Sequence, residues 1–352
     1  LKDKTKVLYF TFDEEQPSVE DLLQNYEEQM GVNWKKEKIF VFLDEIQKLE
    51  NFQNQLKVLY DLYPNIKFFI SGSTSLFLRQ KSLESLAGRI LEIKLNPLNF
   101  PEYLRLKEKE GLLLKPKLFY AEIKREFSTF LTSQFPESVF MANKEERKEY
   151  FLSIIKKIVY EDLRSVYKFD NPDSLYSLCK LIGQHPGGSW NLFQLANDIS
   201  LSSKTVSLYF SYLESGFLIR KFYNFSRNIA SCEKRIKRYY LSSPSFSWAL
   251  TDFIENSALF ENYLASVLET KYFYRDSFLK EVDFVLLGKN DKIIPLEAKY
   301  SEDIKKDDVN NLISFMKKFK VEEGVVACLR ESEQKMIFDD NKIINLTPYF
   351  KI

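Results

Sequence analysis

Ile39-Phe40-Val41-Phe42-Leu43-Asp44-Glu45 is a five-residue apolar run that closes on two adjacent carboxylates. No polar residue interrupts the run, which predicts a strand buried on both faces, as parallel sheets covered by helices require. On either side of it, Val7 to Phe12, Ile66 to Ile70 and Ile90 to Leu95 are further short runs that predict strands. Between two of them, Phe52, Leu56, Leu59 and Tyr63 recur at spacings of 4, 3 and 4, one stripe of a helix that Pro64 then stops. Strands alternating with a helix in this way predict an α/β layer.

Open α/β sheets bind ligands at the C-terminal ends of their strands, and that is where Asp44 and Glu45 are delivered. An Asp there can hold the shell of a Mg²⁺ ion, and a following Glu can orient and polarise the water that attacks a γ-phosphate, which is Walker B chemistry. The same pair could equally cap and open the next helix. After the next strand comes Ser71-Gly72-Ser73-Thr74, then Leu86-Ala87-Gly88-Arg89, then Leu95-Asn96-Pro97-Leu98-Asn99-Phe100-Pro101-Glu102-Tyr103. In this order the segments resemble the AAA-type ATPases of archaea and bacteria that carry a nuclease-like tail, and the resemblance covers nearly the whole chain. It implies Asp44 and Glu45 in the Walker B roles, Ser73 or a neighbour as γ-phosphate sensor, and ATP with Mg²⁺ as ligand. It also implies Arg89 as an arginine finger reaching the next subunit of a homo-oligomer; the plain alternative for Arg89 is a surface ion pair.

One part of that family's pattern is missing. A P-loop needs G-x-x-x-x-G-K-[ST], whose amides and Lys hold the phosphates, and this sequence has no such string. The nearest, Gly183-Gln184-His185-Pro186-Gly187-Gly188-Ser189, lacks the Lys and lies far downstream. In the family the P-loop precedes a strand like Val7 to Phe12, so it is expected upstream of Leu1. The start, Leu1-Lys2-Asp3-Lys4, has neither a signal pattern nor an initiator Met, which fits a sequence beginning inside a longer protein.

A second constellation is Asn191 to Ala196 followed by Ser200 to Glu214, which reads as helix, turn, helix, with Ser203 as cap and Val206, Tyr209 or Phe210, and Leu213 on the core side. Phe217-Leu218-Ile219-Arg220 follows as an extended piece, completing a winged-helix pattern. Residues 201 to 240 hold eight Lys/Arg against two Asp/Glu, a net of +6. DNA is the partner this stretch points to, with Arg220, Lys221, Arg227 and Lys234 to Arg238 gripping phosphates. The recognition helix offers only Lys204, so phosphate gripping is favoured over base readout, and a module used only for packing is the bland alternative.

The third constellation is Phe260-Glu261-Asn262-Tyr263-Leu264 opening a helix, Glu281-Val282-Asp283-Phe284-Val285-Leu286 as a strand, and Ile294-Pro295-Leu296-Glu297-Ala298-Lys299 as another. Side chains alternate along a strand, so Glu297 and Lys299 share one face. Asp283 with Glu297 and the Ala298 carbonyl can hold Mg²⁺ or Mn²⁺, Lys299 can orient or deprotonate water, and Glu261 can support the metal. Asp283 followed fourteen residues later by Glu297-x-Lys299 is similar to the pattern of PD-(D/E)xK nucleases. Pro295 suggests a bulge or an edge beside the site. The alternatives are an exposed salt-bridged hairpin, or a domain of this fold that has become a scaffold.

At 352 residues the chain is too long for one ordinary core, and a formal charge of +1 gives it no global field toward nucleic acid or anionic lipid. Three dispersed cysteines and a single His185 disfavour a disulfide framework or a zinc site and favour a metal held by oxygen. No apolar run approaches the roughly 20 residues that span a bilayer, and a cytoplasmic location fits best. The expected architecture is multidomain α/β: a parallel-sheet AAA-type core lacking its P-loop over 1–105, a helical lid or connector over 106–170, a winged helix over 171–225, and a restriction-endonuclease-like α/β domain over 226–352. The expected function is an AAA-type ATP-binding protein coupled to a nucleic-acid-binding, nuclease-like domain; the alternative is a non-catalytic interaction or DNA-binding protein that retains both folds.

Overall fold

A computed structural model of the chain describes residues 6–72, 86–93, 95–228, 232, 235–289, 292–338 and 341–352. The chain divides into two compact units, residues 1–94 with 160–170, and residues 95–159 with 171–352. No helix among the described residues is long and apolar enough to cross a membrane.

The first unit runs β1 (Val7–Thr11), α1 (Val19–Met30), β2 (Ile39–Asp44), α2 (Phe52–Leu62) and β3 (Ile66–Ile70), with the strands in a parallel sheet of order β1-β2-β3. Ser18 caps α1 by accepting from the Asp21 N–H, and Gly31 closes it in the left-handed region at φ 66°. Ile39, Val41 and Leu43 point into a core formed with Val19, Leu22 and Leu23 of α1 and Phe52, Leu56 and Leu59 of α2, so the stripe read along α2 is its buried face. Burial of β2 is one-sided, however, where the uninterrupted run predicts both faces covered. On the other face Phe42 stacks on Phe69 with centroids 4.6 Å apart, and Tyr9 and Phe69 are exposed. Phe42 and Phe69 cover part of each other's apolar surface by stacking.

The expected strand over Ile90 to Leu95 does not form among the described residues, and Leu91, Ile93 and Leu95 are all exposed. The segment alternates its apolar residues with Glu92 and Lys94, charges that a strand buried on both faces could not accommodate.

The second unit opens with helices α3 (Phe100–Leu106), α4 (Tyr120–Phe130) and α5 (Lys144–Lys156). A capping box between Asn99 and Glu102 starts α3. There follow α6 (Pro172–Gln184), β4 (Gly188–Ser189), α7 (Leu192–Asp198), α8 (Ser203–Ser215), β5 (Ile219–Asn224) and β6 (Lys237–Leu241). The cap of α8 is Ser202, accepting from Thr205 N–H, rather than the expected Ser203, while Val206, Tyr209, Phe210 and Leu213 are buried as read.

The chain then forms α9 (Pro244–Leu250), α10 (Asn256–Val267), β7 (Tyr272–Arg275), β8 (Glu281–Val282), β9 (Phe284–Leu287), β10 (Ile293–Lys299), α11 (Asn310–Phe319), β11 (Glu323–Cys328), β12 (Gln334–Phe338) and β13 (Lys342–Pro348). One sheet has the order β4-β6-β5-β7-β8 and the other β12-β13-β11-β10-β9. Phe100, Phe127 and Phe130 share one core with Phe260, Tyr263 and Tyr349, which fixes α3 and α4 against α10.

Candidate functional site

Asp44 ends β2 at the C-terminal edge of the parallel sheet, between residues of both neighbouring strands. The Ser71 hydroxyl donates to its Oδ1 at 2.6 Å and the Tyr9 hydroxyl to its Oδ2 at 3.3 Å. Glu45 takes φ 51°, a conformation a non-glycine residue holds only when its surroundings impose it. It occupies the cap position of the short turn Ile46–Lys48 but makes no capping hydrogen bond; its carboxylate instead accepts from the Gln47 amide. A capping role therefore does not account for either carboxylate. Ser73 lies outside the described residues, and its neighbour Ser71 is the hydroxyl that meets Asp44. Arg89 is placed in an ion pair, its Nε 2.8 Å from Asp61 Oδ1 and its Nη2 3.1 Å from Oδ2.

The carboxylates of the second unit come together around one loop of main chain. β9 and β10 pair antiparallel with Leu296 opposite Phe284, which sets Glu297 and Asp283 side by side. The expected strand over Val282 to Leu287 is broken at Asp283, and the break turns this carboxylate toward β10. There Asp283 Oδ2 accepts the Ala298 N–H at 2.9 Å. Lys299 Nζ lies 3.6 Å from Glu297 Oε2, on the face that strand alternation assigns to both. Pro295 lies where β10 pairs with β9 only, one residue before the ladder with β11 begins at Leu296. Glu261 belongs to the middle of α10, not its opening turn.

Sequence reading missed the centre of this cluster. Arg238 of β6, only 6% exposed, is joined to Glu281, and its Nη1 stands 3.7 Å from Asp283 Oδ1 and 3.8 Å from Glu261 Oε1. Tyr240, two residues along the same strand face, donates to Glu261 Oε1 at 2.6 Å. The available signal was the alternation Arg238-x-Tyr240 inside a strand-forming run, which the count of basic residues obscured. Gly187, at φ 73°, presses against the same two groups: a Cβ there would sit 2.7 Å from Glu261 Oε1 and from the Tyr240 hydroxyl, so only glycine fits.

Burial works against the Arg238 charge, but Tyr240, Glu261, Asp283 and Glu281 outweigh it and hold its pKa above the ordinary arginine value. Burial and then the Asp283 carboxylate push Glu261 up to about 7, against the opposing pull of Arg238 and Tyr240. Burial and Asp283 likewise raise Glu297 well above the usual carboxylate range, with Lys299 opposing. Among the described residues no three His, Cys, Asp or Glu side chains form a cage for an ion by themselves. Asp283 and Glu297 do form a close pair whose mutual repulsion a divalent cation would relieve. Oxygen from main chain and water would complete such a shell, so the pair fits a hard cation.

Four cations of the basic stretch bond to groups of the protein itself. Arg220 donates to the carbonyls of Ala265, Leu268 and Thr270, closing the C-terminal end of α10. Lys221 pairs with Glu214 at 2.8 Å, Arg227 donates to the Phe319 carbonyl, and Arg238 is buried among carboxylates. Of these four, Lys221 and Arg238 meet carboxylates, and Arg220 and Arg227 meet neutral carbonyls. Lys234 lies outside the described residues.

In comparison with known proteins, residues 1–104 match the model of an AAA domain family (AAA_14), and residues 127–257 and 254–349 match those of two domains of unknown function (DUF8612 and DUF4143). An uncharacterized protein of Methanocaldococcus jannaschii is 23% identical over 328 residues, covering 88% of this chain and 74% of that protein. A second from the same organism is 28% identical over 261 residues, covering 67% of this chain and 53% of its own length. An uncharacterized protein of Haemophilus influenzae is 27% identical over 227 residues, covering 61% and 54%. The chain thus spans about half the length of the latter two relatives. Parallel sheet and family match agree that the N-terminal part is AAA-like.

Proposed function

We propose that this AAA-ATPase-like chain couples a nucleotide-binding unit to a metal-dependent phosphodiester hydrolase of the PD-(D/E)xK kind that acts on nucleic acid, DNA among the substrates. The observation that carries this reading is the bond from the Ala298 N–H to Asp283 Oδ2, which draws the carboxylates of Asp283 and Glu297 and the ammonium of Lys299 to one place. Element order supports it. α10, then β7, the β8–β9 strand, β10 antiparallel to β9, then α11 and a parallel β11 is the αβββαβ order of such nucleases. The succession α6-β4-α7-α8-β5-β6, with β4-β6-β5 adjacent and antiparallel, supports a winged helix ahead of it.

Asp283, Glu297 and the Ala298 carbonyl would hold Mg²⁺ or Mn²⁺, with Glu261 supporting from α10. A bound ion of this kind polarises a phosphoryl oxygen and lowers the pKa of a bound water. Lys299 would orient that water through its ammonium, and the proton of the water would leave to solvent. In a longer protein that supplies the G-x-x-x-x-G-K-[ST] motif, Asp44, fixed by Ser71, would hold the Mg²⁺ of ATP, and Glu45 would orient the attacking water. Arg89 would reach a second copy of the chain only after leaving Asp61.

The test is Mn²⁺-dependent cleavage of single- and double-stranded DNA and RNA. Cleavage lost in Lys299→Ala and Asp283→Asn is expected, and no cleavage of any of the four substrates sinks the hydrolase. One observation favours a second reading, a non-catalytic interaction protein: the cation already standing among Glu261, Glu281 and Asp283 is Arg238. On that reading Asp283→Asn changes stability and nothing else.

A further inference from the structure

Arg275 pairs through Nε with Glu281 Oε1 at 2.9 Å and also lines a cavity of about 400 Å³ whose other walls include Asn224, Arg235, Tyr274, Asp276 and Lys318. The charges of this cavity do not cancel. Asp276 is engaged by main chain, its Oδ1 accepting the N–H groups of Phe278 and Lys280. Arg235 donates to the Phe225 carbonyl and Lys318 to the Tyr274 hydroxyl at 2.6 Å; among the described residues neither has a carboxylate partner. Both are held in place by neutral oxygens, at an exposed wall, with positive charge left over.

The frame around them is stiff. Asn224, 4% exposed, clamps the main chain of Arg275 from both sides, accepting from its N–H at 3.1 Å and donating to its carbonyl at 2.8 Å. The turn that follows is closed by Asp276 N–H to the Lys280 carbonyl and Leu279 N–H to the Asp276 carbonyl. It holds Leu279 at φ 62°, a conformation leucine takes only when its surroundings fix it. The turn thereby presents Phe278, 82% exposed, one residue beyond the cavity wall at Ser277. A free aromatic face on an ordered turn beside unneutralised cations is the combination that holds single strands: phosphates on the cations, a base on the ring.

We propose that this cavity and its turn bind single-stranded nucleic acid, with Arg235 and Lys318 taking backbone phosphate oxygens and Phe278 stacking an adjacent base. The assignment deepens the nucleic-acid reading above and rests on it for the class of ligand. Arg275, Glu281 and Arg238 form a chain of contacts from the cavity to Asp283, so a strand held here lies beside the carboxylates.

The experiment is fluorescence anisotropy of a labelled oligo-dT and an oligo-U with the full chain in EDTA, across a salt series. Removing two phosphate contacts in Arg235→Ala/Lys318→Ala is expected to weaken binding and to flatten the slope of log K against log salt by about 1.4. Phe278→Ala is expected to weaken binding by roughly 5- to 160-fold at unchanged slope, and Phe278→Trp to restore it. Wild-type affinity in both the double variant and Phe278→Ala overturns the assignment, as does equal competition by polyglutamate, which has charge but no bases. The chelator separates this test from the hydrolase: binding without Mn²⁺ cleavage sinks only the hydrolase, and cleavage with unaltered binding in these variants sinks only this site.

Discussion

Arg238 is the residue on which the second unit's polar interior turns. It neutralises Glu281 directly and faces Glu261 and Asp283, all from a position 6% exposed. Breaking a buried charge cluster by removing one partner typically costs about 3–5 kcal/mol, so Arg238→Met should lower stability by that order in urea unfolding. A loss under 1 kcal/mol would mean the carboxylates are solvated. Glu126 offers a separate case at the same scale. Burial alone would raise its carboxyl, but hydrogen bonds from Lys107, Lys109 and Tyr103 outweigh burial and hold it down at about 2. A depressed carboxylate contributes stability that is present above the ordinary value of 4.5 and lost as pH falls through that value toward 2. The stability gap between wild type and Glu126→Gln should therefore shrink across that window; a constant gap would contradict the assignment.

Elements were legible where a single physical signal governed them. β2 and β3 follow from apolar runs, α2 from its 4-3-4 stripe, and α8 from a capped amphipathic pattern. The failures have particular causes. The run from Ile90 to Leu95 looks like a strand locally, but a strand needs a neighbouring ladder and cannot hide Glu92. β6 was hidden because Lys237 and Arg238 read as surface charge, whereas Arg238 is paired inside the protein. The edge strand β12 gives a weak signal because its apolar residues are few and Ile337 stays exposed between the half-buried Met336 and Phe338. Of the candidate site, Asp283, Glu297 and Lys299 were legible from spacing on strands; Glu281, Tyr240 and Gly187 were not, because tertiary approach alone unites them. Helix α4 supplies an element-scale test, since Phe127 packs on Phe100, Phe260, Tyr263 and Tyr349. Phe127→Ala should cost about 3–5 kcal/mol as one cooperative unfolding step, because α3, α4 and α10 share that core; an early partial transition would show that they unfold separately.

At the scale of the whole molecule, the AAA-like part presents Asp44, Glu45 and Ser71 at the C-terminal edge of its sheet, but this sequence contains no G-x-x-x-x-G-K-[ST]. The amides and Lys that hold β- and γ-phosphates are supplied by that motif, so the 352-residue chain is expected to show no ATP turnover. Turnover abolished by Glu45→Gln would contradict that expectation. Mn²⁺ binding followed by electron paramagnetic resonance shows directly whether the C-terminal carboxylates hold a metal. One saturable Mn²⁺ per chain is expected, displaced by Mg²⁺ and lost in both Asp283→Asn and Glu297→Gln while circular dichroism stays unchanged. No saturable binding by wild type, or binding that survives both substitutions, would contradict it.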